Sequence, residues 1–233
     1  MRLNTREWGA GERTALLVHG IMSDSRTWRR VGPALAERGY RVIAVDLRGH
    51  GLSPRGEYSP QFFADDLVDS LPQGADLAIG HSLGGLVLSL AVERLRPRRA
   101  VYSDPAWSSA DPGREIGPDV FASFKHTTRD QISAFNPRWD AEDVDVEVAT
   151  LAAWDVDTAR FLDGRPLTGF VPARPVVPSL VQLADPSFLI GADDVDRLRA
   201  AGFEVRTVAG AGHTIHRDDF DGFMKSLDGY AVE

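Results

Sequence analysis

A serine lies between two glycines in the segment Gly80–Gly84, whose residues are Gly-His-Ser-Leu-Gly. The apolar run Leu77–Ile79 leads into this segment and the apolar stretch Leu86–Val92 follows it, which predicts a strand, a tight turn and a helix. A serine hydroxyl becomes a nucleophile when a base can reach it and its oxygen stands clear of the backbone, and a sharp strand-to-helix turn achieves the second condition. The segment therefore marks Ser82 as a candidate nucleophile.

Three further motifs occur around this serine in a fixed order. His19-Gly20-Ile21-Met22 follows the first clear apolar run, Asp46–Ser53 reads Asp-Leu-Arg-Gly-His-Gly-Leu-Ser, and Gly210–His213 reads Gly-Ala-Gly-His. Together with the serine turn they resemble the motifs of the α/β-hydrolase superfamily, of the serine esterase and lactonase type. The resemblance extends over most of the chain.

The resemblance implies a role for each motif. Ser82 would be the nucleophile, and His213 would be the base that takes its proton and later donates it to the leaving group. The backbone N–H groups of Leu83 and Ile21 would form the oxyanion hole, with Met22 as the alternative second donor. We expect His19 and His50 to hold the geometry of their loops.

The acid that would orient the histidine has three candidates. In the family the acid lies between the serine and the histidine in the chain, which leaves Asp104, Asp194 and Asp193. Most relatives place it where Asp193 and Asp194 stand, but a short stretch separates these residues from His213, whereas Asp104 fits the site after the preceding strand that some relatives use. We prefer Asp104, with Asp194 and then Asp193 as the alternatives.

Three further residues are candidates for contact with a substrate. Met22 lies in the loop after the first strand, and His81 flanks the serine. Trp107 follows the preferred acid and begins a segment rich in aromatic residues, so it could contact a hydrophobic substrate or simply pack that segment on the core.

The elements that must position these residues follow from the apolar pattern. Short buried strands are predicted at Ala15–Val18, Val42–Val45, Leu77–Ile79, Ala100–Tyr102, Phe188–Ile190 and Val205–Val208. Helical spacing lies between most of them, at Trp28–Arg38, Pro60–Leu71, Leu83–Leu95 and Val195–Ala201. This alternation predicts an α/β fold, with a mostly parallel central sheet flanked by helices.

One region breaks the alternation and is predicted to be a helical cap. Residues 107–184 carry prolines, acidic residues and aromatic residues without a strong strand run. We therefore expect a hydrolase core formed by residues 1–106 and 185–233, with residues 107–184 inserted as a cap or lid over it.

Composition limits the partners. The 233 residues carry a formal net charge of −8 and lack a basic stripe, which argues against nucleic-acid binding. The chain has no cysteine and no paired ligand spacing, so we expect no metal and no cofactor. An apolar leader or membrane segment is not evident, so the expected location is cytoplasmic, and any protein partner is expected to be a second copy in a homodimer.

The expected reaction is hydrolysis of a carboxylic ester or lactone of a hydrophobic small molecule through an acyl-enzyme on Ser82. Carbon-carbon bond hydrolysis and cofactor-free oxygenation share the same catalytic residues and remain alternatives, as does a non-catalytic member that only binds a small molecule. A serine in place of an aspartate at the turn argues against epoxide hydrolases and haloalkane dehalogenases.

Overall fold

The chain is described by a computed structural model that covers residues 1–109, 117–162 and 169–230. Strands in this part of the chain form one seven-stranded sheet: β1 (Thr5–Trp8), β2 (Arg13–Val18), β3 (Tyr40–Val45), β4 (Leu77–His81), β5 (Ala100–Ser103), β6 (Ser179–Leu183) and β7 (Glu204–Thr207). Their spatial order is β1-β3-β2-β4-β5-β6-β7. Only β1 runs antiparallel to its neighbour, so the sheet is mostly parallel, as predicted.

Helices cover both faces of the sheet. The core helices are α1 (Val31–Glu37), α2 (Pro60–Ser70), α3 (Leu83–Leu95), α7 (Ala192–Ala200), α8 (Ile215–Asp218) and α9 (Phe220–Lys225). Alternate side chains of β2 show why two layers are needed, since Leu16 and Val18 join one apolar cluster with α2 and α3 while Ala15 and Leu17 join another with α1 and α9. A strand buried on both faces reads as a continuous apolar run, which is the pattern that predicted these strands.

The region between β5 and β6 is helical. It contains α4 (Pro118–Ser123), α5 (Arg129–Phe135) and α6 (Ala141–Ala153), and 3₁₀ helices at Phe124–His126 and Val156–Leu162. Its own apolar cluster consists of Ile132, Val144, Leu151, Trp154 and Ala159. We refer to the helices from α4 to α6 with their 3₁₀ turns as the cap helices.

The predicted strand Phe188–Ile190 is wrong. These residues form a bend before α7, in which the Ser187 hydroxyl oxygen accepts hydrogen bonds from the backbone N–H groups of Leu189 (3.2 Å) and Ile190 (3.0 Å). The side chains of Leu189 and Ile190 reach the core from this turn, which explains the misleading pattern.

The strand at this place in the fold is β6, which lies parallel between β5 and β7. Gln182 interrupts its apolar pattern, but this side chain is buried and bonds to the Ser226 hydroxyl at 2.5 Å. The predicted insertion boundary at residue 184 is corrected accordingly, because β6 belongs to the sheet and the inserted region ends before Ser179.

Candidate active site

Ser82 lies at the turn between β4 and α3 in an unusual backbone conformation. Its φ is 52° and its ψ is −118°, a combination that costs energy for a residue with a side chain. The turn is tight because Gly80 packs on the backbone of Gly84, and a Cβ at either glycine would collide with backbone atoms. This turn lifts the serine side chain away from the strand, as the sequence predicts.

Asp104 and His213 meet beside this turn. Asp104 directly follows β5 with a φ of 40°, is completely buried, and accepts a hydrogen bond from the Ala184 N–H at 3.3 Å. Its other carboxylate oxygen, Oδ2, lies 2.6 Å from Nδ1 of His213. A carboxylate can only accept a hydrogen bond, so Nδ1 carries the proton and Nε2 is left to take one from a neighbour. The structure thus brings the preferred acid onto the predicted base.

The alternative acids lie elsewhere. α7 begins at Ala192, so Asp193 and Asp194 belong to its first turn and not to a loop beside the histidine. The carboxylate of Asp194 bonds instead to the guanidinium of Arg197 at 2.5 Å. Acidic side chains are favoured at a helix N-terminus, which accounts for both residues without a catalytic role. The assignment of Asp194 or Asp193 as the acid is therefore wrong.

The loop after β2 runs against the serine. A Cβ on Gly20 would lie 3.1 Å from the Cβ of Ser82, a contact that would require the serine or the loop to shift. Leu83 is the first residue of α3, where a helix leaves N–H groups without internal partners. Within the described ranges, neither its N–H nor that of Ile21 donates to a protein acceptor. Both amides are therefore available where the resemblance places the oxyanion hole.

Buried polar contacts fix this oxyanion loop, which we define as residues 20–24. His19 accepts the Leu47 N–H at Nε2 (2.9 Å), so its Nδ1 donates to the Gly20 carbonyl (2.7 Å). The Asp46 carboxylate accepts the N–H of Ser25 at 2.8 Å, just beyond the loop. Burial lowers the pKa of His19, which keeps the imidazole neutral for these contacts. The loop is thus held from both ends.

Trp107 and Met22, two of the predicted substrate contacts, have different outcomes. Trp107 is fully buried, its indole N–H donates to the Ser89 hydroxyl at 3.2 Å, and its ring packs on Tyr102 and Phe203. The prediction that Trp107 contacts substrate is wrong, because the core covers the whole ring. Met22 lies in the oxyanion loop with a φ of 65° and packs against the apolar cluster of the cap helices, so its contact with substrate stays a prediction.

His81 is also occupied within the protein. Its Nε2 donates to the backbone carbonyl of His213 at 3.0 Å, and the two rings lie 4.8 Å apart between centroids. Burial, followed by the nearby charges of His213 and His216, lowers the pKa of His81 well below its ordinary value, so it stays neutral. This hydrogen bond holds the His213 loop, and contact between His81 and a substrate stays a prediction.

Phe188 was missed as a member of the site. Its ring centroid lies 4.7 Å from that of His213, and its side chain is 38% exposed. The apolar run Phe188–Ile190 is the signal in the sequence, although its pattern predicts a strand. The bend before α7 places this ring against the histidine instead.

The described residues contain no group of three or more potential metal ligands. A helix long and apolar enough to cross a membrane is likewise not found in the described part of the chain.

Comparison with known proteins agrees with this geometry. A model of the alpha/beta hydrolase family matches residues 15–225. A Rattus norvegicus protein provisionally named a protein-lysine deacylase is 42% identical over 82 residues, covering 31% of this chain and 39% of that protein. A 2-(acetamidomethylene)succinate hydrolase of Mesorhizobium japonicum is 42% identical over 87 residues, covering 35% of this chain and 31% of the enzyme. The matches therefore span less than half of each relative.

Among solved structures, the N-formylmaleamic acid deformylase of Pseudomonas putida S16 superposes with a TM-score of 0.77 at 26% identity. That likeness covers 96% of this chain and 95% of the deformylase. Because the family model spans most of the chain and the sheet carries the serine turn at the expected place, the chain belongs to the alpha/beta hydrolase family.

Proposed function

We propose that the protein is a serine hydrolase that cleaves a carboxylic ester or lactone of a hydrophobic small molecule through an acyl-enzyme on Ser82. The observation that carries the proposal is the 2.6 Å contact between His213 Nδ1 and the buried Asp104 carboxylate, beside a serine in a strained turn. This arrangement supplies a nucleophile, a base in the correct tautomer and a fixed acid.

The reaction would proceed in two halves. Ser82 Oγ attacks the carbonyl carbon while His213 Nε2 takes the hydroxyl proton, and the N–H groups of Ile21 and Leu83 receive the developing negative charge. His213 then gives the proton to the departing alcohol, which leaves the acyl group on Ser82. In the second half, His213 takes a proton from water, the resulting hydroxide attacks the acyl carbon, and the acid is released as the serine recovers its proton.

Apolar surroundings support a hydrophobic substrate. Ile21 and Met22 pack against the cap cluster, together with partly buried Phe121 and Trp139. Phe188 adds an aromatic ring on His213. A substrate that enters between the oxyanion loop and the cap helices would therefore meet mostly carbon atoms, which favours apolar acyl groups.

Hydrolysis of an N-acyl bond is a second candidate, because two of the similar proteins are named as a deacylase and a deformylase. Both bond types need the same nucleophile, base and oxyanion donors. An amide additionally requires a good proton donor to the departing nitrogen, which would again be His213.

Initial rates on a substrate panel test the proposal. The panel contains p-nitrophenyl esters of graded acyl length, aliphatic and aromatic lactones, and matched anilides, each with wild type and with Ser82→Ala. We expect ester or lactone turnover that falls to background in the variant. Turnover of anilides above esters would favour the N-acyl candidate. An inert wild type would refute hydrolysis and direct attention to oxygenase and ligand-binding assays.

A further inference from the structure

One cap helix contacts the segments that follow both catalytic loops. Arg29 lies at the end of the 3₁₀ helix Ser25–Trp28, directly after the oxyanion loop, and Arg217 lies in α8, shortly after His213. Both guanidinium groups approach the same oxygen of Asp143 in the first turn of α6. Arg29 Nε donates to Asp143 Oδ1 at 2.9 Å, and Arg217 Nε lies 3.7 Å from that atom.

This charge cluster is withdrawn from water. The side chains of Asp143 and Arg217 are 1% and 2% exposed, and that of Arg29 is 18% exposed. The other carboxylates on these arginines lie nearer the solvent: Asp140 (48% exposed) and Glu142 (71%) on Arg29, and Glu147 (16%) on Arg217. Burying two guanidinium groups without a carboxylate between them is strongly unfavourable. Asp143 is thus the fully buried carboxylate that lies between the two arginines, and Glu147 adds a direct contact to Arg217 at 2.6 Å.

The same helix contacts the oxyanion loop through apolar side chains. Ile21 and Met22 pack against the cluster that contains Val144 and Leu151 of α6. A second polar tie joins the same 3₁₀ helix to α6, since Arg26 Nη2 donates to the carbonyl of Ala149 at 3.1 Å. Ile21, whose N–H would bind the oxyanion, therefore packs its side chain against a cluster that includes α6, the helix that carries Asp143.

We propose that Asp143 is a positioning residue that sets the oxyanion loop and the His213 loop at their working separation by holding Arg29 and Arg217 on one carboxylate. This inference rests on the proposed function. An oxyanion hole must match the transition state closely, so a small displacement of one loop lowers turnover more than substrate binding. The cap is then part of the catalytic framework as well as a cover.

The test compares Asp143→Asn with Asp145→Asn. Asp145 lies on the same helix, but its carboxylate is 61% exposed and pairs with Arg129 of α5 inside the cap, so the same chemical change there leaves both catalytic loops alone. The readouts are kcat and KM for a p-nitrophenyl ester per active site, with sites counted by the burst of p-nitrophenol. Counting sites separates a lower rate from a smaller folded fraction.

We expect Asp143→Asn to lower kcat per site by about tenfold or more while KM changes by less than about threefold, since losing a full oxyanion donor costs about a hundredfold or more. Asp145→Asn should stay within about twofold of wild type. An unchanged kcat per site in Asp143→Asn, or an equal loss in Asp145→Asn, would overturn the inference. If Asp143→Asn does not fold, Arg29→Lys carries the same test, because it keeps the charge and removes the Nε donor.

Hydrogen exchange gives a readout that does not depend on turnover. Amides of residues 20–25 and 213–218 should exchange faster in Asp143→Asn than in Asp145→Asn, because both loops lose their shared anchor. Faster exchange confined to α6 would refute the coupling. A wild type inactive on every substrate would refute the proposed function, and the exchange comparison would still decide the role of Asp143.

Discussion

Replacement of Asp104 by asparagine should nearly abolish turnover while leaving the fold intact. The 2.6 Å contact places a carboxylate on His213 Nδ1, so that nitrogen holds the proton and Nε2 is free to accept one. An asparagine amide facing Nδ1 would donate a hydrogen bond and favour the opposite tautomer, in which Nε2 already carries a proton. The same change in a serine protease triad costs about 10⁴-fold in kcat, or about 5 kcal/mol of transition-state stabilisation.

The assay is steady-state hydrolysis of a p-nitrophenyl ester, with thermal unfolding as the check on folding. Asp194→Asn is the matched control, because that carboxylate bonds to Arg197 on α7 and does not touch His213. It should keep kcat within about twofold of wild type. Near-normal turnover in a folded Asp104→Asn variant, or a large loss in Asp194→Asn, would refute the assignment of the acid.

Three further predictions concern the framework of the site. Gly84→Ala should lower the free energy of unfolding in urea by about 2 kcal/mol or more, since a Cβ there collides with the backbone oxygens of Val18 and His19. In Gly117→Ala the added Cβ has no atom within 4 Å, so the change should cost less than about 1 kcal/mol. Burial, with a smaller contribution from a neighbouring histidine, lowers the pKa of His50 to about 3. As pH falls below about 6.5, the unfolded chain therefore binds a proton on His50 before the folded chain does. Between pH 7.5 and 5, the free energy of unfolding in urea titrations should fall by about 2 kcal/mol more in wild type than in His50→Asn. Equal losses in the two proteins would contradict this prediction. Trp107→Phe should lower the melting temperature, because it removes about 1–2 kcal/mol of packing and hydrogen bonding, but it should leave KM unchanged. A large rise in KM would indicate that this ring contacts the substrate.

Most of the sheet could be predicted because its strands are buried on both faces. Central strands such as β2 and β4 appear as unbroken apolar runs, and helix α3 has the bounds that its pattern predicts. β1 was missed because it is a polar, mostly exposed edge strand. β6 was missed because buried Gln182 breaks its pattern and finds a hydrogen-bond partner only in the folded chain.

The site was predictable where a motif fixes local backbone geometry. The serine turn depends on glycines that are close in sequence, so Ser82 and its strained φ follow from the local pattern. The choice between Asp104 and Asp194 depended on which residues form the strand after β5, which is a property of the whole sheet. The role of Asp143 could not be seen at all, because Arg29 and Arg217 meet it only through tertiary packing.

Trapping the covalent intermediate tests the central claim most directly. Wild type and Ser82→Ala would each be mixed with a p-nitrophenyl ester, quenched in acid during the burst, and analysed by intact mass and peptide mapping. The account predicts one acyl adduct, on Ser82, in wild type and none in the variant. An adduct on another residue, or turnover of the ester without any adduct during the burst, would contradict it.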